Sequence, residues 1–139
     1  MRSDIVTAIQ GILTATGVFS MVCGLHSDKP AYPLARVWYQ GSRENLDNEP
    51  QARLNSNIGV QIETVLAKDA NGNSIDGPLY ELVDTAFNAL HNYKLPGAGS
   101  QNLWVYDAPG LSEFKADEGP SIYLLTVSAR VIPESFSLT

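Results

Sequence analysis

Asp69, Asn71 and Asn73 alternate along the stretch KDANGNSIDGPLYELV, residues 68–83, as the oxygen ligands of a calcium loop do. A calcium loop of EF-hand type also wants glycine at its sixth position and a bidentate glutamate at its twelfth. Counted from Asp69, those positions hold Ser74 and Tyr80, and the normally apolar eighth position holds Asp76. The preceding residues read as strand, whereas an EF-hand needs a helix there. Asn71-Gly72 is a turn dipeptide. The residues therefore favour a strand-to-helix turn. A divalent-ion site using Asp69 and Asp76, completed by another chain, is the alternative.

The other residues able to do chemistry form no complete set. Cys23 and His26 make a C-x-x-H pair, but a structural zinc site needs four ligands, and His91 is the only other histidine. His91 follows Leu90 at the end of an expected helix, where an imidazole can meet the last carbonyls. No G-x-S-x-G elbow supports a serine hydrolase. GAGS at 97–100 lacks the Lys-Ser/Thr ending of a phosphate loop and reads as a helix stop. Trp38, Tyr39, Trp104 and Tyr106 have the faces to stack bases, but strands carry such residues mainly as core or interface packing. The expectation is a protein without catalytic residues, cofactor or committed metal site.

Composition points the same way. The chain has 139 residues, enough for one domain (residues 1–139) with a core that needs no staple. Its 44% hydrophobic and 17% charged residues suit a globular protein. A formal net charge of −6, with 9 scattered Lys and Arg, argues against nonspecific nucleic-acid binding. One cysteine rules out an internal disulfide and makes a reducing compartment such as the cytoplasm the simplest setting. No apolar run approaches the roughly 18 residues of a membrane span, and Arg2 followed by Asp4 is not a secretory-signal pattern.

The positioning elements follow from periodicity. In SDIVTAIQGILTA, Ile5, Ala8, Ile9, Ile12 and Leu13 form one helical face, with Ser3 as N-cap and Thr16-Gly17 as the end. Residues 18–33 give no clear element. In LARVWYQG, Ala35, Val37 and Tyr39 alternate with Arg36, Trp38 and Gln40, which predicts a strand. Residues 42–51 read as an exposed polar loop. RLNSNIGVQIETVLAK predicts a second strand with Ile58, Val60, Ile62, Thr64 and Leu66 on one side. Leu79, Leu82, Val83, Ala86, Phe87 and Leu90 predict the main helix, with Pro78 in its first turn and Asp76 or Gly77 as cap. QNLWVYD and SIYLLTVSARVI predict the last two strands, separated by an irregular stretch. The order α-β-β-α-β-β implies an α+β two-layer sandwich: an antiparallel or mixed sheet with two helices on one face.

This organisation resembles the tail terminator (tail completion) proteins of long-tailed bacteriophages, the minor tail protein U-like family. The resemblance runs through RSDIVTAIQGILTA, then P-x-x-x-V-W-Y ending in Tyr39-Gln40-Gly41-Ser42, then NIGVQIETVLA with LYELVDTAFNAL. It closes with YLLTVSARVIP. It implies a noncatalytic virion-assembly subunit that forms a homo-oligomeric ring, usually a hexamer, at the head-proximal end of the tail. Such a ring caps the tail tube, ends its growth and offers a head-joining surface to a head-completion or connector protein. DNA passes through its lumen without specific binding.

On that reading, residues 42–51 supply polar interface contacts through Arg43, Glu44, Asp47 and Glu49. Asp69 and Asp76 sit where the sheet edge meets a neighbour. Other readings are a different head-tail connector or head-completion protein, a small cytoplasmic enzyme, and a binding module.

Overall fold

The structure is a computed structural model that describes residues 2–45, 53–95, 102–107, 113–114 and 119–131. Its elements are α1 (Arg2–Ala15), β1 (Met21–Cys23), β2 (Leu34–Asn45), β3 (Arg53–Thr64), α2 (Gly77–Leu90), β4 (Trp104–Asp107), β5 (Glu113–Phe114) and β6 (Ser121–Val131). Two helices and one mixed sheet make an α+β fold. The strand path is β1-β2-β3-β6-β4, with β5 pairing β6 off that path.

The two predicted helices form for the reasons their patterns gave. α1 buries Ile5, Ile9 and Leu13, one residue per turn along a single face. It takes in Ser3 instead of being capped by it. It ends as expected: Gly17 adopts φ +74° and donates its N–H to Thr14 O. α2 buries Leu79, Val83, Ala86 and Leu90, with a proline at its start. Asp76 holds the N-cap position but makes no side-chain capping bond; its Oδ1 accepts the Ser74 hydroxyl at 2.6 Å.

β2, β3 and β6 are the long strands of the sheet, paired antiparallel throughout. Their inward residues, including Val37, Ile58, Val60, Ile62, Leu125 and Val127, share one core with the buried faces of both helices. Each such side chain contributes about 1.5–3 kcal/mol by leaving water, so this shared core is the main force joining the layers. The Tyr39 hydroxyl closes the hairpin end of the core by meeting Ser56 Oγ at 2.9 Å, and Arg2 lies over the Tyr39 ring.

Four expectations need correction. Residues 42–45 are not loop: they continue β2, pairing Ser42 with Ser56, Arg43 with Asn55, Glu44 with Leu54 and Asn45 with Arg53. Backbone hydrogen bonds carry that ladder, so polar side chains do not prevent it. Residues 46–52, with Asp47 and Glu49, lie outside the described residues. β3 stops at Thr64 rather than reaching Lys68; Leu66 still packs against the core beyond the ladder. The stretch 18–33 contains β1, a three-residue strand parallel to β2. The irregular stretch before the last strand contains the two-residue β5. A bulge between Tyr39 and Gly41 adds Gln40 to β2 without moving Tyr39 from the core side.

Candidate functional site

The turn between β3 and α2 is built by Asp69. Its Oδ1 accepts the backbone N–H groups of Asn71 at 2.9 Å and Asn73 at 3.0 Å, an Asx-type arrangement. The Asp69 N–H donates to Asn73 O, Gly72 adopts φ +81°, and Lys68 bridges to Ser74. Asp69 and Asp76 thus belong to one turn, but each carboxylate serves that turn's own N–H or O–H groups. Among the described residues no three His, Cys, Asp or Glu side chains gather as a metal site would require.

Arg43 and Glu44 stand at the far end of the same strand pair. Glu44 is opposite Leu54, ten positions before Thr64. At about 3.3 Å per residue, that is roughly 33 Å of strand. Of the expected interface residues, the structure therefore sets Arg43 and Glu44 apart from Asp69 and Asp76.

The cysteine and histidines have other partners. The Cys23 Sγ donates to Gly24 O at 3.3 Å, while His26 Nε2 meets Asp28 Oδ1 at 2.9 Å. Burial pushes the Cys23 thiol above its ordinary pKa; nearby Arg36 pulls the other way and Glu63 adds to the rise. Such a thiol is a poor nucleophile at neutral pH. His91 does not turn to the helix carbonyls. Its Nδ1 accepts the Val105 N–H at 3.1 Å. The ring stacks on Phe87, with centroids 4.7 Å apart, and meets Trp104 edge-on at 4.5 Å. His91 thus satisfies a backbone donor of β4 at the sheet edge.

The face of the sheet turned away from the helices is more informative. By register, Trp38, Gly59, Thr126 and Tyr106 form one row across it, and Arg36, Gln61 and Leu124 form the next. Trp38 lies over Gly59. Arg36 reaches diagonally to Glu63, and the pair is nearly enclosed, with side chains 15% and 6% exposed. Arg36 Nη1 also donates to Leu25 O, so the chain after β1 covers that end of the face. Beyond it, Gln40, Asn57 and Trp104 are exposed, and Tyr106 and Leu124 are half-buried.

Charge is divided between the layers. Among the described residues, the open face carries one carboxylate, Glu63, and that one is paired. The helix layer instead exposes Glu81 and Asp84. Sequence reasoning could place the tryptophans and tyrosines on strands, but the pairing of Arg36 with Glu63 needs the register. Between the two ends of the core, Val18, Pro33, Pro78, Leu82, Thr64, Thr85 and Glu81 line an open cleft of about 280 Å³ at the start of α2. Its single carboxylate gives no acid–base pair.

The chain matches no known protein-family model and no curated protein. Among the described residues no helix is long and apolar enough to cross a membrane.

Proposed function

We propose that this chain is a noncatalytic assembly subunit of a long-tailed bacteriophage, a tail terminator whose copies close into a ring, a hexamer on the family pattern. The ring sits at the head-proximal end of the tail tube in the virion, stops addition of tube protein and presents a surface to a head-completion or connector protein. One observation carries the reading beyond the sequence resemblance. The subunit has two unlike surfaces, an acidic helix layer and a sheet face whose only described carboxylate is paired. A closed ring is built from heterologous contacts, and these need two different patches on every copy.

Three further features support it. Cys23, His26 and His91 each have a different partner, Gly24, Asp28 and Val105, and none of the three hydrogen-bonds another. The β2–β3 pairing continues through Arg43 and Glu44, at the end of the strand pair away from the Asp69 turn, a site for rim contacts with the tube or a neighbour. A net charge of −6 lets DNA pass a lumen without adhering, because phosphates are repelled. The test is polymerisation of tail-tube protein followed by light scattering, with this protein added at substoichiometric amounts. Tube growth arrested at a length set by the added protein supports the role; unaltered growth rejects it.

A further inference from the structure

Among the described residues, no helix packs on the sheet face that carries Trp38, Gly59 and Tyr106, and its exposed residues are Gln40, Asn57 and Trp104. We infer that this face is one half of the contact between copies of this chain, and that the other half is the helix layer of the next copy. This inference rests on the ring reading and names the surfaces that form the ring.

Three considerations select this occupant. First, a sheet with helices on one side buries its second side best against another layer. Second, two copies that each carry a charge of −6 repel one another. The sheet face adds no unpaired carboxylate among its described residues, and it offers uncharged donors in the amides of Gln40, Asn57 and Gln61. The helix layer supplies matching acceptors in Glu81 and Asp84, both exposed. Sheet against helix layer is thus the complementary pairing, and helix layer against helix layer is the repulsive one.

The third consideration is area. The exposed residues of this face, Gln40, Asn57 and Trp104, lie on β2, β3 and β4 around the half-buried Trp38 and Tyr106, a patch no larger than about 20 Å by 20 Å from strand spacing and rise. Two such surfaces bury on the order of 800 Å² in total, below the roughly 1,200 Å² of a stable isolated dimer. An isolated pair held by this face alone is therefore weak. A closed ring holds each copy at two such contacts, so closure supplies the stability that one contact lacks.

The experiment measures assembly by sedimentation velocity for the full chain and two double variants, each first checked for an unchanged circular-dichroism spectrum and melting temperature. Gln40→Glu/Asn57→Asp makes the sheet face acidic; Glu81→Lys/Asp84→Lys reverses the helix layer. Association at least tenfold weaker is expected for the first variant alone, with rings restored when the two variants are mixed. Wild-type-like assembly of the acidic-face variant, no recovery on mixing, or a wild-type chain that stays monomeric would each overturn the inference. Tube-growth arrest is scored separately on the same preparations. Arrest by wild-type protein without the expected variant behaviour removes this interface and keeps the terminator role. Rings with the expected variant behaviour but no arrest do the reverse.

Discussion

The indole of Trp38 lies across Gly59, the residue directly opposite it on β3: a Cβ on Gly59 would sit 2.6 Å from two indole carbons and 2.9 Å from the Gln40 amide nitrogen. A glycine inside a strand ordinarily weakens it. Here the missing side chain makes room for the aromatic ring on the open face.

Replacing Gly59 by alanine forces the indole off its seat. Overpacking of this kind costs about 1–3 kcal/mol, more than alanine gains over glycine as a strand residue. Urea denaturation of Gly59→Ala should show that loss. A variant as stable as wild type would mean that the ring does not rest on Gly59.

Arg36 and Glu63 are held together where little water reaches them. Removing one partner strands the other charge, at about 3–5 kcal/mol, whereas replacing both with apolar residues of similar size is close to neutral. Glu63→Leu alone should destabilise strongly, and Arg36→Met/Glu63→Leu should recover most of the loss. Additive losses in that cycle would contradict the pairing.

Cys23 should be a slow thiol. Its pKa is raised mainly by burial, so less thiolate is present at any given pH than for a free cysteine. The sign for stability follows. The thiol form is favoured in the fold, so its contribution is full below the unfolded pKa and is lost as pH rises through the higher folded value. Iodoacetamide at pH 8 should label native Cys23 more slowly than the urea-unfolded chain, and alkaline destabilisation should shrink in Cys23→Ala. Native labelling at the unfolded rate would disagree.

Sequence reading found the elements whose side chains carry their own pattern. α2 and β6 were legible because apolar residues recur at 3.6 and 2 residues on a half-buried surface. β1 was not, since three residues hold no period and its pairing with β2 is parallel and nonlocal. The polar run at 42–45 hid its strand because a ladder is made by the backbone, while alternation reports only burial. The alternation of β3 already puts Glu63 with Gly59 and Gln61 on the side away from Ile58 and Val60, and the period of α2 leaves Glu81 and Asp84 off its apolar stripe. The pairing of Glu63 with Arg36 was hidden, because it depends on the register of two strands.

His91 offers a local test of the sheet edge. His91→Phe keeps the stack with Phe87 and the contact with Trp104 but leaves the Val105 N–H without its acceptor. An orphaned buried donor costs about 1–3 kcal/mol. Hydrogen exchange at Val105 should accelerate while exchange at Ile58 and Val60 changes little. Unchanged protection at Val105 would show that His91 is not its acceptor.

The Asp69 turn distinguishes a structural carboxylate from a metal ligand. Asp69→Ala removes the acceptor of two backbone N–H groups and should cost about 1–2 kcal/mol. Millimolar calcium should leave the melting temperature of the wild-type chain unchanged. A rise of several degrees that disappears in Asp69→Ala would instead make the turn an ion site.

Negative-stain electron microscopy of the purified protein, alone and mixed with tail tubes, decides whether copies of this chain close on the end of a tube as proposed. Discrete rings are expected in the first sample, and caps confined to one end of each tube in the second. A strict monomer that leaves both tube ends bare would rule out the terminator reading.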